Sequence, residues 1–168
     1  MEAVEIRQAQ SHQEIAAVRE LWREYWESFG LAIDFQGFGR EVAGLPGKYG
    51  TEGGVLLLAF CGNEPAGTIA LRRLDRESGE VKRLYLRPQF RGLGLGRGLL
   101  EAVIERARNI GYAWLYGDTL PVMQDALSLY ERMGFSRTPA YSPNPTPGAI
   151  YLKLQLVNPN DRAAHEAL

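Results

Sequence analysis

The segment at residues 81–116 places the strongest constraint on the fold. Residues 81–86 have the apolar pattern of a strand, a glycine-rich stretch follows at residues 91–98, and apolar residues then recur at helical spacing. Residues 113–116 have the composition of a buried strand. Because two strands joined through a helix in one sheet run parallel, this segment predicts a parallel crossover.

The strands before that crossover are predicted to be antiparallel. Residues 55–60, 67–73 and 81–86 are separated by turns rich in glycine and charged residues, which is typical of a meander. Further strands are predicted at residues 4–7 and 149–156. The sequence therefore predicts an α/β (α+β) fold with a mixed, mostly antiparallel central sheet.

Helices are predicted on both faces of that sheet. The first begins at Ser11, because Ser11 and Glu14 match a capping box. Its apolar residues share one broad face, which we expect to be buried: Ile15, Val18, Leu21, Trp22, Tyr25, Trp26 and Phe29. A second, short helix at residues 39–45 ends at a proline. The third follows the glycine-rich stretch, and the fourth spans residues 125–133.

Size and composition indicate one globular domain. A chain of 168 residues can bury about 70% of its unfolded surface around one core. We expect a single domain over residues 1–157 and a flexible tail over residues 158–168. The net charge of -1 at pH 7 gives no field that attracts nucleic acid.

The cellular location and the redox chemistry of the protein are predicted from features that the sequence lacks. It contains neither a leader segment nor an apolar run of about 20 residues, so we expect a cytoplasmic protein that does not bind membranes. Cys61 is the single cysteine, which excludes an intramolecular disulfide and a thiolate metal cluster.

The glycine-rich stretch predicts an anion site. It lies between a strand and a helix, where exposed amides and the helix dipole attract phosphate. A dinucleotide fingerprint would need a glycine at Arg97 or at Leu99, and a Walker loop would need Gly-Lys-Ser/Thr. Neither pattern is present. Tight packing of the helix on the sheet stays open as an explanation of the glycines.

The pattern that does fit is R-x-x-G-x-G, with Arg91, Gly94 and Gly96, and from about Val4 to Leu156 the chain resembles the GNAT superfamily of N-acetyltransferases. The resemblance implies the acyl-CoA N-acyltransferase fold, acetyl-CoA as co-substrate and no metal. It also implies that the loop amides bind the CoA pyrophosphate and that the preceding strand pairs with the pantetheine arm. The cofactor-binding residues implied are Leu84, Tyr85, Leu86, Arg91, Gly92, Leu93, Gly94, Leu95, Gly96 and Arg97.

A second motif of the family lies downstream. Residues 126–135 match A-x-x-L-Y-x-x-x-G-F, and the resemblance makes Tyr130 catalytic. A phenol of pKa ~10 can donate a hydrogen bond or a proton to the departing CoA thiolate. A purely structural core position is the alternative for Tyr130. The family often has an asparagine seven residues before this tyrosine, where this chain has Met123, and the adjacent Gln124 could replace it.

An acceptor amine must lose a proton before it attacks, since an amine of lysine-like pKa is almost wholly protonated near neutral pH. Glu80 lies six residues before Leu86, a spacing that resembles the general-base position in the histone-acetyltransferase branch. The resemblance therefore implies a catalytic Glu80. The alternatives are a water chain as the base and Glu80 as a solvated carboxylate of a charged hairpin.

The predicted function is acetyl transfer to a primary amine by direct attack in a ternary complex, since no cysteine or serine is positioned to take the acetyl group. The resemblance implies that the acceptor, a small-molecule or peptide amine, binds near the first two helices, around residues 22–45, and near the loop at residues 141–148. A homodimer is compatible with the sequence. The alternative function is a non-catalytic acyl-CoA-binding sensor. Several carboxylates of the first-helix region would favour a cationic amine if they face the cleft: Glu20, Glu24, Glu27, Asp34 and Glu41.

Overall fold

The computed structural model describes residues 2–30, 37–142 and 148–156. In chain order its strands and helices are β1 Val4–Gln8, α1 His12–Glu27, α2 Phe38–Ala43, β2 Val55–Cys61, β3 Glu64–Arg73, β4 Ser78–Leu86, α3 Leu95–Ile110, β5 Trp114–Thr119, α4 Gln124–Arg132, β6 Ser136–Arg137 and β7 Ile150–Gln155. Short 3-10 helices at Gly47–Tyr49 and Pro88–Phe90 precede β2 and α3. The predicted tail at residues 158–168, Asp34 and residues 143–147 of the predicted loop lie outside the described residues.

The strands form one sheet in the order β1-β2-β3-β4-β5-β7-β6. The neighbours β4 and β5 are parallel, and the other neighbouring pairs are antiparallel. The predicted crossover is α3, which connects β4 to β5. The mixed, mostly antiparallel sheet predicted from the sequence is confirmed.

The capping box at the start of α1 is formed as predicted. Oγ of Ser11 accepts a hydrogen bond from the amide of Glu14, and the Glu14 carboxylate accepts one from the amide of Ser11. These bonds satisfy donors that an isolated helix start leaves free. No helix within the described ranges is long and apolar enough to cross a bilayer.

The sheet is covered by helices on both faces, as predicted. Alternate residues of β2 show the two layers: Leu56 and Leu58 pack with α1 and α2, whereas Leu57 and Ala59 pack with α3. On the first face the core includes Val18, Leu21, Trp22 and Trp26 of α1. On the second face it includes five residues of α3 and Tyr130 of α4.

Several strands are longer than the sequence pattern indicates, among them β3, which begins at Glu64 instead of residue 67. β4 begins at Ser78 instead of residue 81, and β5 continues to Thr119 instead of ending at residue 116. The first residues of β4 are strand because they pair with β5, with Ser78 opposite Trp114. That pairing joins residues far apart in sequence, so local composition does not reveal it. The short strand β6 was not predicted.

Candidate active site

β4 and β5 separate before β4 ends. Their parallel ladder runs from the pair Ser78 and Trp114 to the pair Val81 and Gly117, and residues 82–86 lie beyond it. On its other edge this part of β4 stays paired with β3. The backbone groups of residues 82–86 on the β5 side therefore face a gap, where an extended ligand can hydrogen-bond to the strand edge.

A bulge in β4 changes the face on which its side chains lie. Arg83 has a φ of 60°, which is rare for a residue with a Cβ atom, and the register with β3 shifts at this position. Val81 and Leu84 pack in the α3 layer, whereas Tyr85 packs in the α1 layer. The extra residue reverses the alternation of the strand, and as a result Lys82 and Arg83 both border the gap.

The gap contains a pocket whose walls come from α1, β4, β5 and α4. Its lining combines apolar side chains with charged and polar groups. The lining residues are Tyr25, Val81, Lys82, Arg83, Leu84, Asp118, Thr119, Met123, Ala126 and Tyr130. The pocket therefore brings Tyr130 beside the open edge of β4.

Tyr130 is a nearly buried wall of this pocket. Its relative exposure is 5%, and its ring packs edge-on against Phe135 with 5.1 Å between centroids. Burial, together with the electrostatic effect of Tyr25 and Asp118, raises the pKa of Tyr130 well above its ordinary value. The phenol is therefore protonated at neutral pH and is able to donate a hydrogen bond into the pocket.

The glycine-rich loop joins β4 to the first turn of α3. Gly92 and Gly94 have φ angles of 79° and 83°, which only glycine adopts without strain, and a Cβ at either would meet nothing within 4 Å. Gly96 is close to Leu86, where a Cβ would lie 3.3 Å from Cδ1 of that leucine. The first two glycines therefore shape the loop, and the third allows α3 to pack on the sheet.

The first turn of α3 leaves its amides available to an anion. No side chain caps the helix, and its first turn contains no acidic residue. Uncapped amides at a helix start carry the positive end of the helix dipole and bind phosphate groups. Leu93 beside them is exposed to 62%, so the loop is accessible from solvent.

The predicted cofactor residues form one continuous path, but their side chains play different parts. Nε of Arg91 donates to the carbonyl of Leu86 at 3.1 Å, which ties the loop to the end of β4. Arg97 is exposed and pairs with Glu101 at 2.8 Å. Tyr85 and Leu95 are buried, so only their backbone groups are available to a ligand.

Glu80 is buried in a hydrogen-bonded network, with a relative exposure of 1%. Its Oε1 accepts a bond of 2.7 Å from Nε of Arg72, and its Oε2 accepts one of 2.7 Å from the hydroxyl of Tyr141. Nζ of Lys82 lies 3.7 Å from Oε1. The alternative that Glu80 is a solvated hairpin carboxylate is therefore wrong, because β4 starts two residues earlier and buries it.

Asp118 is the carboxylate among the described residues that line the pocket. It lies on β5, just beyond the last residue that pairs with β4. Sequence reasoning missed Asp118 because it ended this strand at residue 116. The signal that could have found it is the alternation of Tyr116 and Asp118 on one face of an extended β5.

Arg83 was also missed, and it is the centre of a buried cluster under α1 and α2. Its guanidinium lies 5.0 to 5.7 Å from three ring centroids, those of Trp22, Trp26 and Phe38. Its Nη2 donates to Glu41 at 3.1 Å, and Glu41 also accepts from the hydroxyl of Tyr49. Burial alone would raise the pKa of Glu41, but the charge of Arg83 and these donors hold it below its ordinary value.

The carboxylates expected to favour a cationic amine are mostly engaged elsewhere. Glu24 forms a bidentate salt bridge with Arg87, whose Nη2 also lies 3.6 Å from Glu20. Glu41 pairs with Arg83 as described. The structure therefore removes the basis for that expectation at these three residues.

Met123 occupies the position of the family's asparagine. Met123 lines the pocket, and its Sδ accepts a bond of 3.5 Å from the hydroxyl of Thr119. The amide of Gln124 donates to the carbonyl of Pro121 at 3.3 Å on the protein surface. Within residues 2–30, 37–142 and 148–156, no group of three or more His, Cys, Asp or Glu is arranged to hold a metal ion.

Comparisons with known proteins identify the family of the chain. The model of the acetyltransferase (GNAT) family matches residues 15–135. An uncharacterized N-acetyltransferase of Schizosaccharomyces pombe is 34% identical over 146 residues, which cover 86% of this chain and 90% of that protein.

Solved structures share the fold. A GNAT-family acetyltransferase from Staphylococcus aureus has a TM-score of 0.79 and 22% identity, with 92% of this chain and all of the other covered. An acetyltransferase from Salmonella typhimurium, determined with its cofactor acetyl-CoA, has a TM-score of 0.73 and 21% identity, with 92% and 95% covered. At these identities the likeness concerns the fold alone.

The open mixed sheet, whose parallel strands β4 and β5 separate before β4 ends, is the fold of the acyl-CoA N-acyltransferases. The chain belongs to the GNAT family of acetyltransferases, and the predicted resemblance is confirmed.

Proposed function

We propose that this enzyme transfers an acetyl group from acetyl-CoA to the primary amine of a small molecule or peptide, by direct attack in a ternary complex. The observation that carries the proposal is the pocket between β4 and β5, where Tyr130 and Asp118 lie beside an unpaired strand edge. The Salmonella typhimurium protein of the same fold was determined with acetyl-CoA, which supports this choice of donor.

Several features of the chain suit the parts of acetyl-CoA. The uncapped amides at the start of α3 suit its pyrophosphate. The backbone of Leu84 and Leu86, on the edge that β5 leaves open, suits the amide groups of the pantetheine arm. Both contacts use backbone groups and need no side chain, so the ligand can lie close to the backbone in both places.

In the reaction the lone pair of the neutral amine attacks the thioester carbon, and the tetrahedral intermediate breaks its C–S bond, so that CoA leaves as a thiolate. The nitrogen loses its extra proton to water as the amide forms. We propose that Tyr130 donates a hydrogen bond to the developing thiolate. The raised pKa of Tyr130 lies above the ~8.5 typical of a thiol, so a full proton transfer from the phenol would be uphill. Hydrogen bonding is therefore the role that the environment favours.

The proton that the ammonium loses has two candidate acceptors on the protein. Glu80 is the one predicted from the sequence, but both of its oxygens already accept hydrogen bonds from Arg72 and Tyr141. Asp118 lines the pocket itself. The geometry favours Asp118 for this step, directly or through a water, because Asp118 lines the pocket and Glu80 does not; Glu80 is the alternative.

A covalent acetyl-enzyme is not needed. Neither a cysteine nor a serine is among the residues that line the pocket, and Cys61 lies at the end of β2 in a separate cluster with Ala66, Phe90 and Leu95. Direct attack requires only that both substrates be held together, which a ternary complex provides.

The test is release of free CoA from acetyl-CoA in the presence of a broad amine panel, followed with a thiol reagent. Acetyl-CoA should also raise the melting temperature, because it binds the folded state. Binding of acetyl-CoA without amine-dependent release of CoA would contradict the enzyme proposal and support the sensor alternative. Absence of both signals would contradict acetyl-CoA as the donor.

A further inference from the structure

Four cations lie together beside the pocket, on the face of the sheet that α1 and α2 cover. We call Lys48, Arg72, Lys82 and Arg83 the basic cluster. Lys82 and Arg83 line the pocket, and Arg72 lies opposite Glu80 in the β3–β4 ladder. Partial burial and the charges of the other three members lower the pKa of Lys48, against the opposing charge of Glu41. The four charges therefore act on one another.

The carboxylates that pair with the basic cluster do not neutralise its charge. Glu80 pairs with Arg72 at 2.7 Å and with Lys82 at 3.7 Å, and Glu41 pairs with Arg83 at 3.1 Å. Among the described residues, four cations against two carboxylates leave an excess of two positive charges, and counting Asp118 as well leaves one. Such an excess beside a pocket attracts an anionic group and repels a cation.

Two buried donors in the same region have no partner within the part of the chain that the structure describes. They are Nε of Arg83 and Nε1 of Trp22, and the two residues are neighbours, since the guanidinium lies 5.7 Å from the Trp22 ring. The Arg83 side chain is only 10% exposed. Buried donors in folded proteins are normally satisfied, so the unpaired Nε of a pocket-lining arginine is an independent sign of a missing acceptor group.

We propose that the acceptor is a small amine that also carries a carboxylate, such as a free amino acid, and that the pocket-lining Lys82 and Arg83 bind this carboxylate, with Lys48 adding positive charge nearby. The inference rests on the proposed N-acetyl transfer and names the substrate class of that site. The ammonium end of such a molecule faces Asp118 and Tyr130, and its carboxylate faces the basic cluster. Arginine and lysine bind carboxylates through strong charge-assisted hydrogen bonds.

The basic cluster is not needed for the phosphates of the donor. The amides at the start of α3 are the groups proposed to bind the pyrophosphate, and α3 begins after the C-terminal end of β4. Lys82 and Arg83 instead precede that end and lie under α1 and α2, with Arg83 among their aromatic side chains. The charge excess is therefore on the side of the pocket that an acceptor would occupy.

The experiment compares amino acids with their own decarboxylation products at fixed acetyl-CoA: lysine with cadaverine, phenylalanine with phenethylamine, and tyrosine with tyramine. Each pair differs only in the carboxylate. We expect the amino acid of the preferred pair to exceed its amine by tenfold or more in kcat/KM, because a site built for a polar group discriminates strongly against the analogue that lacks it. Serine, ethanolamine and phosphoethanolamine distinguish a carboxylate site from a phosphate site.

Variants locate the effect in the basic cluster. Lys82→Met and Lys48→Met should each raise KM for the amino acid severalfold, leave KM for the decarboxylated amine unchanged or lower, and leave KM for acetyl-CoA unchanged. Arg106→Met on the exposed surface of α3 removes a charge on the opposite face and should change none of these values. Circular dichroism and melting temperature verify that each variant is folded.

Each outcome has a distinct meaning. Amines accepted without preference for the carboxylate, or a preference for phosphoethanolamine, would overturn the amino-carboxylate proposal and leave N-acetyl transfer intact. An increase in KM for acetyl-CoA in the lysine variants would also overturn it, because the cluster would then serve the donor. If none of the amines on the panel caused release of CoA, the proposed transferase function would instead be contradicted.

Discussion

Tyr141 donates a hydrogen bond of 2.7 Å from its hydroxyl to Oε2 of Glu80. The bond joins the chain that follows β6 to the start of β4, on the face of the sheet that carries the basic cluster. Burial and the charge of Glu80 raise the pKa of Tyr141 well above its ordinary value, so the hydroxyl remains a donor at neutral pH. The ring of Tyr141 also packs against Tyr116 and Tyr151.

Glu80 pairs with Arg72 and Lys82 of the basic cluster. Tyr141→Phe should therefore weaken acceptor binding without affecting binding of the donor. The variant keeps the aromatic packing and removes one hydrogen bond to a charged group, which contributes about 1.5–3 kcal/mol to stability. We expect a lower melting temperature, an increase of severalfold in KM for the acceptor, and an unchanged KM for acetyl-CoA. Steady-state kinetics with each substrate varied in turn measure both constants. An increase confined to KM for acetyl-CoA would contradict this assignment.

Two carboxylate variants distinguish the candidate proton acceptors. Asp118→Asn should lower kcat/KM by about 10²-fold or more, as expected for loss of a general base. Glu80→Gln should instead destabilise the fold by about 3–5 kcal/mol, because it leaves Arg72 partly buried without its charge partner. A folded Glu80→Gln enzyme should keep most of its kcat/KM. If the loss of kcat/KM appears only in Glu80→Gln, the base is Glu80.

Much of the fold could be predicted because its signals are local. The capping box at Ser11 and Glu14 starts α1 by short-range hydrogen bonds, and the loop glycines have φ angles that only glycine tolerates well. The prediction of Tyr130 rested on a motif within one helix and its following turn. In each case the relevant atoms lie within a few residues of one another.

The rest depends on contacts between distant segments. The bulge at Arg83 follows from how β4 meets β3, and nothing in the residues around Arg83 requires a left-handed backbone there. Asp118 faces the pocket because β5 continues after its ladder with β4 has ended. The pairing of Glu24 with Arg87 joins residues 63 positions apart, so the sequence alone could not reveal that α1 carboxylates are neutralised.

Tyr130→Phe should slow the chemical step and leave donor binding nearly intact. The phenol is proposed to interact with the thiolate only as it forms, so its loss affects kcat more than KM. We expect kcat to fall by about 10²-fold, with the same melting-temperature shift on addition of acetyl-CoA. Tyr25→Phe, which alters another tyrosine of the pocket wall, is the matched control and should have a smaller effect on kcat. Equal turnover of Tyr130→Phe and the wild type would show that Tyr130 only packs.

Leu93→Glu should weaken acetyl-CoA binding by placing a negative charge beside the amides of the first α3 turn. At an effective dielectric of about 20, two unit charges separated by roughly 8 Å repel by about 2 kcal/mol, which corresponds to at least tenfold in affinity. Leu93→Gln has nearly the same size without the charge and should bind acetyl-CoA as the wild type does. Because Leu93 is exposed, neither change should affect folding. Equal Kd values for the two variants would place the pyrophosphate elsewhere.

Glu14 makes the stability of α1 dependent on pH. The hydrogen bond from Arg7 at 2.7 Å, followed by the bond from the amide of Ser11, lowers the pKa of Glu14 to about 2 from 4.5. A group whose pKa is lower in the folded state stabilises the protein above its unfolded pKa, and this contribution is lost as the pH falls from about 4.5 towards 2.

Glu14→Gln should therefore lower the free energy of unfolding by about 1 kcal/mol at pH 7, the usual contribution of a helix cap, and the difference from the wild type should shrink below pH 4.5. Urea unfolding at pH 7, 5 and 3.5 measures it. Glu27→Gln, at the exposed end of the same helix, removes an equal charge outside the cap and corrects for the change in net charge. A difference between wild type and Glu14→Gln that stays constant from pH 7 to 3.5 would mean that the Glu14 carboxylate is not held in its charged form by Arg7 and Ser11.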